Sequence, residues 1–143
     1  MENKVDILCK HFGLTNYTIN DGVVDVNGDV SLYDKGLLEI PFKFGKVTGN
    51  FTCAHNKLTT LENCPNWVGG HFYCQSNKLV SIIGPEYVGG EFFMDTIKDG
   101  SKIMDMVDIV EYSKTIHVIS DYNNLIKLIK RKDSIDKVLK SDV

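Results

Sequence analysis

The sequence predicts an α/β solenoid, a short stack of parallel-stranded turns between an N-terminal helix and C-terminal helices. Three observations predict it. Residues 29–49, 50–70 and 71–90 align as DVSLYDKGLLEIPFKFGKVTG, NFTCAHNKLTTLENCPNWVGG and HFYCQSNKLVSIIGPEYVGG, and a fourth copy opens with EFFMD at Glu91. The period is about 20 residues, within the range of solenoid repeats. Apolar residues also keep to columns: Val30, Phe51, Phe72 and Phe92; Leu32, Cys53, Cys74 and Met94; Leu37, Leu58 and Leu79; Ile40, Leu61 and Ile82; Val47, Val68 and Val88. Finally, Lys35 and Ile97 stand where Asn56 and Asn77 stand in the central copies, which marks the ends of the regular array. The 143 residues therefore read as one domain, with a cap helix in 1–16, the solenoid in 17–97 and a helical cap in 98–143.

Each element has a local reason. Val5, Leu8, Cys9 and Phe12 are spaced as one face of a helix over residues 2–12, with Gly13 as its stop. Such a helix covers the first turn, because an open solenoid end exposes core side chains. Tyr17 and Ile19, then Val24, Val26 and Val30, alternate with polar residues around Asn20-Asp21-Gly22, which reads as a hairpin. Asn27-Gly28 is a second turn. Within a repeat, Phe51-Thr52-Cys53 alternates inward and outward as a short strand does. Asn56 and Asn77 then sit where a buried amide can bond the backbone of its own turn and the next. Leu58 and Leu61 return to the core, and Pro65 or Gly69-Gly70 turns the chain into the following strand.

Past Asp95 the pattern stops, and Lys98-Asp99-Gly100 reads as a loop. Ser101 can start a helix with Ile103, Met106, Val107 and Val110 on one face. Residues 115–119 form a β-branched run, read as one further strand. Asp121 can start a last helix carrying Tyr122, Leu125, Leu128 and Ile129, continuing to Leu139. This tail is expected to close the far end.

A formal net charge of −3 supplies no whole-molecule field toward nucleic acid. Residues 1–13 carry Glu2, Lys4 and Asp6 without a long apolar run, so no signal peptide or membrane span is read, and the expected location is the cytoplasm. There a reducing milieu argues against disulfides among Cys9, Cys53, Cys64 and Cys74. His55 and His71 join Cys53, Cys64 and Cys74 as metal-ligand types, but no CxxC pair occurs, and core packing is the better reading. No nucleophile–base pair, GxSxG elbow, P-loop or HExxH is present, so neither catalysis nor a cofactor is expected.

The string Phe-x-Cys-x-x-Asn-x-Leu-x-x-Leu at 51–61, repeated with a final Ile at 72–82, resembles the leucine-rich-repeat signature. The short period and Ile40-Pro41 resemble its bacterial subclass. With Val-Gly-Gly before each strand and Thr-Ile-Asn-Asp-Gly leading in, residues 17–95 look like small repeat proteins encoded by large tailed bacteriophages. The resemblance implies a curved, parallel-stranded solenoid that binds protein and has no shared enzymatic activity. It further implies a bacterial host protein as partner, inhibited or redirected in the host cytoplasm, with counter-defence as one concrete version.

On such a solenoid the outward residues of successive strands form rows on the concave face. One row is Ser31, Thr52, Tyr73 and Phe93; the next is Tyr33, Ala54, Gln75 and Asp95, with Asp34, His55, Ser76 and Thr96 at its margin. The candidate partner-binding set is Ser31, Tyr33, Thr52, His55, Tyr73, Gln75, Phe93 and Asp95. Exposed aromatics on a rigid sheet bring large contact area at low entropy cost. The competing reading has Tyr73 and Phe93 covered by the chain's own tail. Lys127, Lys130, Arg131, Lys132, Lys137 and Lys140 make the last helix basic, offset by Asp133 and Asp136. They read as a solvated face, or else as a nucleic-acid contact. Stacking of the ends into a homo-oligomer is a third reading.

Overall fold

The computed structural model describes residues 3–81, 83–95, 109–111 and 116–141. Its elements in chain order are α1 (Lys4–His11), β1 (Tyr17–Asn20), β2 (Val23–Val26), β3 (Val30–Ser31), β4 (Phe44–Val47), β5 (Phe51–Thr52) and β6 (Trp67–Val68). There follow β7 (Phe72–Tyr73), β8 (Tyr87–Val88), β9 (Phe92–Asp95), β10 (Ile109–Glu111), β11 (Ile116–Ile119) and α2 (Tyr122–Ser141). The strands make a β-solenoid of two sheets, ordered β1-β2-β4-β6-β8 and β10-β11-β9-β7-β5-β3. Pairing between successive turns is parallel throughout. Among the described residues, only β1 on β2, β11 on β9 and β10 on β11 run antiparallel.

Each repeat thus holds two strands where the sequence suggested one. The Val47, Val68 and Val88 column is the inward position of a second strand row. With a single inward residue in β6 and β8 and glycines directly after, and with Phe44 and Val47 of β4 three apart, these segments carry almost no period-2 signal. The Phe51, Phe72 and Phe92 column behaves as expected, its rings stacked at 5.3 and 5.0 Å between centroids. Phe44 joins that stack edge-on at 5.2 Å.

Two corner types hold the turns together. At the first, Asp34, His55 and Ser76 adopt left-handed backbone (φ 52°, 57° and 59°), and an asparagine follows in the two later turns. Asn56 Oδ1 accepts the N–H groups of Lys35 and Leu37, both at 3.0 Å, and its Nδ2 donates to Leu32 O (2.7 Å) and Cys53 O (2.9 Å). Asn77 repeats this one turn later, accepting from Leu58 N and donating to Cys53 O and Cys74 O. The asparagine column therefore does what the sequence suggested.

At the second corner, between the sheets, the acceptors are Asp29, Asn50 and His71. Each takes the backbone N–H of the equivalent residue in the next turn: Asn50 at 2.7 Å, His71 at 2.8 Å and Glu91 at 2.9 Å. Space decides the composition here. A Cβ at Gly70 would collide with Asn50 Oδ1, and one at Gly69 or Gly89 with the carbonyl oxygen of Thr48 or Gly69 in the turn before.

At the first-turn end, the Asn3 side chain accepts from Val5 N and starts α1. Helix α1 buries Cys9 and packs Val5, Leu8 and Phe12 against the core. The expected hairpin forms as β1–β2, turning through Asp21 and Gly22, both at positive φ (50° and 77°), the geometry of a two-residue hairpin turn. At the other end Tyr122 stacks on Phe92 at 4.4 Å and donates its hydroxyl to Pro85 O. The Asn123 amide accepts from Val88 N and donates to Val88 O, at 2.8 and 2.9 Å, as a neighbouring strand would. Asp121 accepts from Asn124 N, so the expected helix start holds. Helix α2 buries Tyr122, Leu125, Ile126 and Ile129, while Leu128 is only half-buried.

The strand expected at 115–119 is β11. Val110, expected on a helix, lies in β10 opposite Val118, because cross-strand pairing outweighs its helical spacing to Met106 and Val107. The remainder of that expected helix, the loop before it, and Ile82, Thr96 and Ile97 fall outside the described residues.

Candidate interaction surface

Parallel register places the first predicted row as read. Ser31 pairs with Thr52, Thr52 with Tyr73, and Tyr73 with Phe93, all on the outward side of the second sheet. Tyr73 and Phe93 stack at 4.6 Å with a 17° interplanar angle, and both are half-buried. The His71 ring meets their edges at 6.1 and 6.3 Å. Strand β11 adds Val118 directly opposite Phe93. The tail thus extends this sheet beside Phe93.

The second row is broken. Ala54 is buried, whereas Tyr33 is 48% exposed with its ring 4.8 Å from that of His55. His55 occupies the left-handed corner and donates its N–H to Gln75 O at 3.0 Å, so it belongs to the turn as much as to the face. Gln75 is half-buried, and its side-chain carbonyl oxygen has no hydrogen-bond partner among the described residues. Asp95 accepts from Asn77 N at 2.9 Å and so takes part in the corner bonding of the preceding turn. Of the eight candidates, Ser31, Thr52, Tyr73 and Phe93 share one row; Tyr33, His55, Gln75 and Asp95 flank it.

Sequence reasoning missed a second outward surface, on the first sheet. Trp67 and Tyr87 stack at 5.2 Å with a 15° angle, and the Lys46 ammonium sits 4.4 Å over the Trp67 ring. Each of these residues precedes an inward valine, and that adjacency was the available signal. Beside Lys46 a groove of about 200 Å³ is lined by Asn16, Thr18, Asp25, Val26, Asn27 and Thr48.

All four cysteines are free and buried. Burial pushes the Cys53 and Cys74 thiols far up and raises Cys64 to about 12, which favours thiols that pack over thiolates that react. Cys9 is raised by burial and then by Asp6. Among the described residues no group of three or more His, Cys, Asp or Glu is placed to hold a metal ion. No described helix is long and apolar enough to cross a membrane. On α2, Lys127, Lys130 and Arg131 are exposed.

Fold and surface together define a short two-sheet solenoid with an aromatic outer row on each sheet. Comparison of the chain with protein-family models, with curated proteins and with solved structures returns no match.

Proposed function

We propose that the chain is a protein-binding module that engages its partner through the outward face of the second sheet, with Tyr73 and Phe93 at the centre. One observation carries the reading: two stacked, half-exposed rings on strands fixed from behind by the Phe51–Phe72–Phe92 stack. A preordered aromatic pair loses little side-chain entropy on binding, which is the profile of an interface anchor. The likeness to leucine-rich repeats and the phage origin rest on the repeat string. So do the choice of a bacterial host protein as target, its inhibition (counter-defence included) and the host cytoplasm as location. We extend the proposal to the ends, where α1 on one side and Tyr122 and Asn123 on the other act as caps.

The test is retention of a host protein from bacterial lysate by tagged wild type and by the Tyr73→Ala/Phe93→Ala pair, read by mass spectrometry. The wild type should keep a partner that the pair loses, with affinity reduced by about 4 kcal/mol, as for two hot spots. Equal retention by a folded double variant removes the face from consideration. A nucleic-acid reading draws on exposed Lys127, Lys130 and Arg131. It calls for nuclease-sensitive retention and a steep affinity loss with salt.

A further inference from the structure

The solenoid has four terminal strands, two at each end, and three of them are paired beyond the stack. Strand β2 carries β1, β9 carries β11, and the backbone of β8 is met by the Asn123 amide. The fourth, β3, ends its sheet. Its inner edge is fully used: Val30, Leu32 and Asp34 donate to Asn50 O, Thr52 O and Ala54 O at 2.9, 2.8 and 3.1 Å. Because successive residues of a strand direct their N–H and C=O groups to opposite edges, those of Ser31 face away from β5, and so do those of Tyr33 just past the strand, where Leu32 and Asp34 continue the ladder. No described residue pairs with them.

We propose that the β3 edge, at Ser31 and Tyr33, is a docking site for one extended segment of another protein, added to the second sheet as a strand. An open row of backbone donors and acceptors is a template for pairing, and β-strand addition is a recurrent mode of peptide recognition. The segment would take in the second sheet the level that β1 takes in the first.

Charge chooses the occupant. Within residues 29–35, Asp29 and Asp34 flank the open stretch and Lys35 alone offsets them, all three exposed; Asp29 keeps its charge while accepting from Asn50 N, so the segment carries lysine or arginine beside its paired residues. The edge is distinct from the Tyr73–Phe93 face, and either can hold without the other.

Proline separates edge from fold. Ser31→Pro removes an N–H that the solenoid does not use, a position where strands tolerate proline; Tyr33→Pro does the same one step on. The probe is a displayed library of random 12-residue peptides, with selected peptides synthesised and titrated against the full chain. We expect basic peptides that slow amide exchange at Ser31 and Tyr33. They should bind Ser31→Pro, or Tyr33→Pro where the first variant does not fold, at least tenfold more weakly. They should bind Tyr73→Ala/Phe93→Ala unchanged. The edge proposal is overturned by unchanged affinity for the folded proline variant, by selected peptides that protect other amides, or by a library that yields no binder. It is equally overturned by concentration-dependent dimerisation that Ser31→Pro abolishes, since the occupant is then a second copy. A lysate partner lost by the Tyr73/Phe93 pair but indifferent to Ser31→Pro leaves the face reading standing and removes this one.

Discussion

The two corners of each turn solve one problem by opposite means. Stacked turns must satisfy backbone groups where the chain leaves a strand, and must do so at a fixed spacing. At the asparagine corner the device is chemical: one amide reaches two turns and makes at least three hydrogen bonds. At the corner between the sheets the device is partly the absence of side chains. Glycine lets successive backbones approach and leaves room for Asp29, Asn50 and His71 to reach the next turn. The chemical corner should therefore fail by degrees, as bonds are lost, and the steric corner should fail all at once. Thr48 provides an internal comparison. It shares a column with Gly69 and Gly89, yet it follows a different turn, where its hydroxyl accepts from Gly28 N at 2.8 Å and donates to Asn27 Oδ1.

Gly69→Ala should have the largest effect. The added Cβ meets the Thr48 carbonyl oxygen, with the Thr48 carbonyl carbon and the Trp67 ring each 3.1 Å away, so relief requires moving backbone. We expect about 4 kcal/mol of destabilisation, beyond ordinary overpacking, measured by urea unfolding. A loss under about 1 kcal/mol would show that the turns can separate locally and that the corner is not steric. Asn56→Ala comes next, at about 3 kcal/mol, because its partners lie in a buried corner that water does not reach. Asn77→Ala should cost about half of that, since Asn77 is half-buried and water can replace part of its bonding. Equal losses at the two positions would mean that the bonds count and their burial does not.

The difference between the corners also explains what the sequence disclosed. Asn56 and Asn77 were legible because a polar residue recurring inside an apolar column has few uses besides backbone bonding. The glycine corner was legible only as a turn. Trp67–Val68 and Tyr87–Val88 have one inward residue each, so β6 and β8 of the first sheet, and with them the Trp67–Tyr87 stack, left no periodic trace. The outer row of the second sheet was readable from the alternation around Phe51 and Phe72. His55, Gln75 and Asp95 were harder, because their backbone or side chains serve the corner, and a column position does not tell a corner residue from a face residue. Beyond Asp95 the signal weakens for another reason. Val110 pairs with Val118 through a contact eight residues away in sequence, which helical spacing cannot reveal. On α2 the stripe of Tyr122, Leu125, Ile126 and Ile129 fits helical spacing better than one through Leu128, and the structure buries that stripe.

The smallest effect concerns the end where neither corner device has a preceding turn to bond. There Lys35 replaces the asparagine, and a side-chain pair ties the first elements together: Tyr17 donates to Asp6, which also bridges to Lys10 at 3.1 Å. The bond from Tyr17, and then Lys10, hold the Asp6 carboxyl below its usual value, while the Asp6 bond raises the Tyr17 hydroxyl above its own. The signs fix two pH windows. A depressed carboxyl contributes stability that is present above its unfolded value, near 4, and lost as pH falls through the folded value. A raised phenol contributes stability that is present below its unfolded value, near 10, and lost as pH rises through the folded one. Tyr17→Phe should therefore lower Tm slightly at pH 7 and make no difference at either extreme, so that the wild-type and variant curves converge in acid and in base. A constant offset across pH would mean that the phenylalanine merely packs less well and that α1 is held by Cys9 and Phe12 alone. Curves that converge only in acid would leave the carboxylate with Lys10 as its effective partner.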